Sequence, residues 1–286
     1  MNIRLFKEYF KRLQKSPLRP LVALVATIQQ TIKYRSPVYI SIDKQGDWYN
    51  RRRDVTIVST ELHVTPWSEI QSAVKDLWLY DYILKSGDTV VDIGAGIGDD
   101  VIVFSRLVGK HGHVIAIEAH PDTFRCLLKT IAENRLENVT ALNLAASDRE
   151  GKASISNEES FLSNSIMSDE GGITVRACTL DQILREIDVP HIDMLKMNIE
   201  GAETKALRGM TDALGTLPHI VVSCHDFIAD NHGGDSSMRT YDDVNKILDN
   251  AGYTMRKRRE SSRKGVNFYI LAGVGYYVYG EKSIVL

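Results

Sequence analysis

From Thr89 onward, short continuous apolar runs alternate with longer stretches whose apolar positions recur at helical spacing. Residues 89–93 (TVVDI), 113–118 (HVIAIE) and 138–145 (NVTALNLA) have the unbroken apolar character of strands buried on both faces. Residues 100–109 and 121–135 have the helical period between them, and Gly109 closes the first. Strands of this kind separated by helices predict a parallel sheet covered on both sides. The alternation resumes after a polar interval. Residues 179–187 predict a short helix capped by Thr179, 192–200 a strand, 203–210 a helix, 219–224 a strand, and 240–252 a helix stopped by Gly252. Residues 253–260 and 267–273 predict a closing antiparallel pair. The interval itself, 147–177, is rich in Ser, Asp, Glu and Gly and reads as a hairpin or mobile loop.

Before Thr89 the rhythm differs. Residues 3–15 and 20–33 predict two helices broken at Ser16-Pro17 and Arg19-Pro20. Residues 37–64 predict a small β unit, with strands at 38–42 and 54–60 and a polar connection over 43–53. Pro66 opens a predicted helix over 66–84. The chain therefore divides into an N-terminal helical and β extension, 1–65, facing substrate or partner, and a main domain, 66–286. There is no internal repeat.

Composition changes this picture little. The 286 residues are 43% hydrophobic and 25% charged, an ordinary globular balance. The net charge of -2 hides an asymmetry: residues 1–53 hold twelve Lys and Arg against three acids, a net +9 that leaves −11 on the remainder. A basic head on an acidic body points to an anionic surface or partner, in competition with a merely solvated face. The apolar positions Ile3, Phe6, Phe10 and Leu13 could lay residues 3–15 on a membrane surface. Packing against the main domain is the favoured expectation. Leu21 to Ile28 is apolar but far shorter than the roughly 20 residues a bilayer span needs, and no signal-peptide cleavage pattern is seen. Cys126, Cys178 and Cys224 lie far apart with no CxxC pair, which fits a reducing compartment. The expected location is cytoplasmic, peripheral to a membrane if the basic head makes that contact.

The chemistry concentrates at residues 90–100, VVDIGAGIGDD. Glycines after a strand let the backbone approach a ligand, and the following helix offers its free N–H groups. The dinucleotide fingerprint is GxGxxG, whereas Gly94, Gly96 and Gly98 are spaced GxGxG. Asp99 and Asp100 follow at once, and Asp92 ends the strand. Three carboxylates repel a pyrophosphate but suit a cationic cofactor without phosphates. S-adenosylmethionine carries a sulfonium, an ammonium and no phosphate. Glu118, at the end of the next strand, is placed to accept both hydroxyls of a ribose.

With these stretches in hand, the sequence resembles the FkbM family of class I S-adenosylmethionine-dependent methyltransferases. The matching motifs are VDIGAGIG (91–98), AIEAHP (116–121), NVTALNLAASD (138–148), TLDQIL (179–184) and IDMLKMNIEGAE (192–203), in the family's order over roughly residues 70–225. The resemblance implies a Rossmann-like α/β fold, a mostly parallel seven-stranded sheet with helices on both faces, beside the small N-terminal α/β extension. It puts Asp92, Gly94, Gly96 and Gly98 around the methionine part of the cofactor, Glu118 on the ribose, and Ala145 and Ala146 by the adenine, with Asp99 and Asn198 also among the cofactor-binding residues. Two departures concern chemistry. The family's DVEGAE is Asn198-Ile199-Glu200-Gly201-Ala202-Glu203 here, and its acid-x-histidine after the fifth strand is Ser223-Cys224-His225, followed by Asp226.

Those pairs follow neighbouring strands at the carboxyl edge, where open α/β sheets bind ligands. His225 is the candidate general base for a hydroxyl acceptor, oriented by Asp226 or Glu200. Asn198, Glu200, His225 and Asp226 also offer ligands of the kind Mg²⁺ takes, without a tight ligand spacing. Glu203 is expected on a helix surface and Lys196 inside its strand, in a salt bridge. The polar stretch 225–239 reads as a substrate loop. The expected activity is O-methylation of a small-molecule or glycan hydroxyl, a sugar in particular. The alternatives are an N-methyltransferase, a dinucleotide oxidoreductase disfavoured by the glycine spacing, and a non-catalytic relative that keeps the fold. There is no (D/N)PPY motif and no nucleic-acid recognition module.

Overall fold

The structure, a computed structural model, describes residues 13–14, 16–155, 166–167, 172–226, 239–256 and 276–283. The predicted helix 3–15 and strand 267–273 lie essentially outside these residues. Helix α1 (Arg19–Tyr34) begins with Pro20 in its first turn and ends at Arg35 in a left-handed conformation. It packs along an antiparallel sheet of β1 (Val38–Ile42), β2 (Trp48–Arg52) and β3 (Thr56–Ser59). Strand β2 corrects the expected polar connection. Buried Trp48 and Asn50 alternate there with half-buried neighbours, a strand period masked by three consecutive arginines.

Helix α2 (Trp67–Leu77) follows and is shorter than expected, because Trp78, Tyr80 and Tyr82 leave the helix to pack and hydrogen-bond individually. Then come β4 (Thr89–Ile93), α3 (Asp99–Val108), β5 (His113–Ile117), α4 (Pro121–Glu133) and β6 (Val139–Leu142). The apolar run of the third strand breaks at Asn143, whose Nδ2 donates to the carbonyls of Glu118 and Ala119. Beyond it β7 (Ala145–Ala146) joins a second, four-stranded sheet with β8 (Gly151–Ile155), β9 (Ile166–Met167) and β10 (Ile173–Cys178). The polar interval is thus partly the expected hairpin, β8 against β10. Helix α5 (Leu180–Glu186) is capped as predicted, Thr179 Oγ1 accepting from Gln182 N at 3.1 Å. The remaining elements are β11 (Met194–Met197), α6 (Glu203–Arg208), α7 (Thr211–Thr216), β12 (His219–Ser223), α8 (Tyr241–Asn250), β13 (Thr254–Arg256) and β14 (Tyr277–Glu281).

The main sheet has seven strands in the order β13-β14-β12-β11-β4-β5-β6, all parallel from β6 to β12 with β14 antiparallel to both neighbours. This is the expected class I architecture. Successive strand residues point to opposite faces. Val90, Val114, Ala116 and Met194 bury against α2, α3 and α4. Val91, Ile115, Leu195 and Ile220 bury against α5 to α8. The chain builds outward from β4 through β5 to β6, then returns to place β11 on the other side of β4. The loops after β4 and β11 therefore flank the switch in strand order, where such sheets open a crevice. The N-terminal sheet is stitched to the main one through α4. Val58 N donates to Thr130 Oγ1 at 3.1 Å, and Lys129 Nζ bridges Asp43 and Asp47 at 2.5 and 2.6 Å.

Candidate active site

At the switch point the chain turns through Gly94, Gly96 and Gly98, with φ of 79°, 56° and 87°. These left-handed values favour glycine on backbone grounds. Gly94 has a second constraint: a Cβ there would lie 2.0 Å from the Asn198 carbonyl oxygen. The ends of β4 and β11 thus meet backbone to backbone. The turn borders a cavity of about 210 Å³. Gly94, Gly96 and Asp99 line one side, Glu118, Ala145 and Ala146 a second, and Asn198 and Glu200 a third. Asp92 and Gly98 stand behind this wall. Asp92 is fully buried, and a Cβ on Gly98 would press on Leu127 of α4 at 2.6 Å.

One ammonium organises the acids. Lys196 is the register partner of Asp92 across the parallel pair, so both side chains fall on the same face. Its Nζ lies 2.7 Å from Asp92 Oδ1 and 3.7 Å from Asp100 Oδ2, donates to the Gly94 carbonyl at 2.8 Å, and sits over the Trp78 ring. An ammonium carries three donors, so Nζ serves the Gly94 carbonyl and the Asp92 ion pair together. Burial pushes the carboxyls of Asp92 and Asp100 up to about 6, with Lys196 only partly offsetting it, and raises Asp99 as well. Burial also lifts Glu118 to about 7, against two backbone donors: Gly96 N on Oε2 at 2.9 Å and His120 N on Oε1 at 2.8 Å. Burial alone would lower the pKa of Lys196, but Asp92, Asp100 and Asp99 together outweigh it and raise it.

His225 follows β12, buried and off the cavity wall. Its Nδ1 is 2.9 Å from Glu203 Oε1, and the Glu203 carboxylate also accepts from Gly201 N at 3.1 Å and Thr240 Oγ1 at 3.0 Å. Glu203 is fully buried, which corrects its expected place on the helix surface. The carboxylate bonded to His225 Nδ1 is therefore Glu203. Asp226 Oδ2 accepts from Thr240 N and Tyr241 N and caps α8 from outside it. Burial depresses the His225 pKa, but Glu203, then Glu200 and Asp226, outweigh it and raise the pKa above the ordinary value. Glu200 takes a left-handed φ of 46°, strain that a non-glycine residue at a cleft commonly carries for function. Among the described residues no group of three or more His, Cys, Asp or Glu is placed to hold a metal ion.

Sequence reasoning missed His63. It comes from the N-terminal extension, reaches the cavity wall, and is anchored by Asn50 Nδ2 donating to its carbonyl at 2.9 Å. Burial brings its pKa down to about 4, so the ring is neutral. A lone histidine outside every recognised motif carries no sequence signal.

Residues 92–255, more than half of the chain, match the model of the methyltransferase FkbM domain. The chain belongs to the FkbM methyltransferase family. It is 28% identical over 148 residues to a hexuronic acid methyltransferase, AglP, of Haloferax volcanii, covering 49% of this chain and 57% of that one. It is 37% identical over 59 residues to a protein-L-isoaspartate O-methyltransferase of Thermosipho melanesiensis, 21% of this chain and 30% of that one. The matched segments thus span less than two thirds of these relatives. Among solved structures, a methyltransferase FkbM from Methylobacillus flagellatus aligns with a TM-score of 0.47 at 16% identity, over 76% of this chain and 48% of that one. Within the FkbM match lie the glycine turn, Glu118, Lys196 and His225, whereas His63 lies before it.

Proposed function

We infer that this FkbM-family chain is an S-adenosylmethionine-dependent O-methyltransferase acting on a hydroxyl, with a sugar as the acceptor class. The observation that carries this is the cavity at the switch point, where a glycine turn approaches closely and the carboxylates of Asp99, Asp100, Glu118 and Glu200 outnumber the Lys196 ammonium. Such a wall disfavours a pyrophosphate and accommodates a ligand with positive charge. The residues fit the cofactor. Glu118 is fixed by two backbone donors and keeps lone pairs for a ribose diol. Ala145 and Ala146 give a flat apolar edge for a base. Asp99 is on the wall for cationic groups, while Lys196 holds Asp92 and the Gly94 carbonyl beneath it.

The bound cofactor supplies an electrophilic methyl group on sulfur. The chain's own residues supply placement, which can account for most of the acceleration of such a transfer. They also hold a proton acceptor. Glu203 accepts from His225 Nδ1–H, which puts the basic lone pair on Nε2. Glu203 thereby does for His225 what was expected of Asp226 or Glu200. The hexuronic acid methyltransferase relative supports a sugar as the acceptor class.

Calorimetric titration with S-adenosylmethionine and with NAD tests the cofactor. Binding of NAD without S-adenosylmethionine sinks the assignment. Incubation with methyl-labelled cofactor and a panel of uronic acids, neutral sugars, peptides and nucleosides tests the acceptor. Label on an oxygen of a sugar is the expected result, and label on nitrogen or on none of them refutes O-methylation of sugars.

A further inference from the structure

Helix α1 presents its large apolar residues to the outside. Its packed face is small or polar: Ala23, Ala26 and Gln30 are buried, and Thr27 and Thr31 accept backbone N–H bonds from β1. Leu21, Leu24, Val25, Ile28 and Ile32 are each more than half exposed, and Leu18 extends the row. At 3.6 residues per turn these six fall in an arc of about 120°, centred opposite the packed face. A helix on a soluble domain normally turns this stripe to the core. A contiguous apolar surface left outside marks an interaction site.

The charge around it names the partner. No Asp or Glu occurs from Leu18 to Ser36, whereas Arg19, Lys33 and Arg35 stand at the two ends of the helix. Tyr34 ends α1, and Tyr39 on the adjacent strand is 60% exposed. Basic residues flanking an apolar stripe, with aromatic rings beside it, suit the boundary between lipid headgroups and chains. Residues 1–53 carry a net +9, complementary to anionic lipid. No helix among the described residues is long and apolar enough to cross a membrane, so a helix in the interface plane is the mode that remains for α1. A second copy is a poorer fit: Leu18 to Ile32 spans two heptads, short of the roughly three to four of a self-sustaining coiled coil.

We propose that the outward face of α1 docks the protein on an anionic membrane surface, the apolar stripe entering the interface and the basic ends meeting lipid phosphates. This stands on α1 alone and not on the cofactor cavity, so it holds or fails separately from the activity proposed above.

The test is flotation of the full chain with phosphatidylcholine vesicles, with and without phosphatidylglycerol. The expected result is capture by the anionic vesicles only, weakened by salt. Leu21→Gln, Val25→Gln, Ile28→Gln and Ile32→Gln together should cut that capture at least about tenfold, with cofactor affinity unchanged. Should the fourfold variant fold poorly, Ile32→Trp takes its place, its added emission quenched by brominated lipid. Absence of capture, capture indifferent to the stripe, or an unquenched tryptophan overturns the proposal. So does self-association in solution that the four substitutions abolish, which would assign the stripe to a second copy.

Discussion

Lys196→Met removes the ammonium from beneath the glycine turn while keeping an unbranched chain that can pack on Trp78. In the wild type, Asp92 is lifted from 3.8 to about 6 with the ammonium in place, a penalty of about 3 kcal/mol on its charged form. Taking away one partner of a buried pair costs about 3–5 kcal/mol when the other stays charged. At about 2–4 °C per kcal/mol for a domain of this size class, the melting temperature of the cofactor-free protein should drop by about 6–20 °C at pH 8. The sign of the pH dependence separates this cost from lost packing. Asp92 and Asp100 have folded pKa values raised above their unfolded ones, so the folded state holds protons longer than the unfolded state. Their contribution favours folding below the ordinary carboxylate range and is lost as pH rises through about 6. At pH 5 both are largely protonated in the folded protein, and removing the ammonium strands little charge. The deficit of Lys196→Met should therefore shrink steeply from pH 8 to pH 5, and adding Asp92→Asn should recover part of it at pH 8. Scanning calorimetry without cofactor, at both pH values, measures this. A deficit equal at both, or larger at pH 5, refutes the electrostatic account.

If His225 takes the acceptor's proton, turnover at saturating substrates rises as pH climbs through its raised pKa, above 6.5. Glu203→Gln removes the cause of that rise and should move the limb to lower pH, and His225→Ala should cost about 10²–10⁴-fold in kcat. Unchanged turnover in His225→Ala with intact cofactor affinity removes the base. Gly94→Ala drives a Cβ into the Asn198 carbonyl and should abolish cofactor binding in calorimetric titration. Gly96→Ala meets no atom within 4 Å and should cost only the left-handed backbone, about 1–2 kcal/mol by thermal melt. S-adenosylmethionine affinity should tighten from pH 6 to pH 8 as Asp92, Asp100 and Glu118 lose protons. The demethylated product, lacking the sulfonium charge, should tighten less; equal slopes in titration calorimetry would exclude charge recognition.

The sheet was legible because its strands are buried on both faces, so TVVDI and HVIAI read as unbroken apolar runs. β2 was hidden because its buried positions, Trp48 and Asn50, are only two and are followed at once by Arg51 to Arg53. β14 was missed for a related reason: YVYGE mixes glycine and acid, and its partner is set by tertiary pairing with β12. At the site, residues on turns that end parallel strands could be placed in advance, since the topology fixes where those ends converge. Gly94, Glu118 and Asn198 come together accordingly. Glu203 and His63 could not. Glu203 sits at the first turn of a helix whose start is solvent-facing by composition, and its partners His225 and Thr240 come from segments 22 and 37 residues further on. His63 reaches the cavity through the way β3 docks on α4, a contact between segments about 70 residues apart.

The two bonds from Thr240 N and Tyr241 N to Asp226 Oδ2 have a consequence for how independently the chain between β12 and α8 can vary. They tie the two ends of segment 227–238 to one another at the foot of α8. Closing a longer loop across such a fixed gate adds only about 0.6 kcal/mol for each doubling of its length. β12 and α8 therefore keep their seats whatever the length of chain between them, and the cavity at the switch point is insulated from changes there.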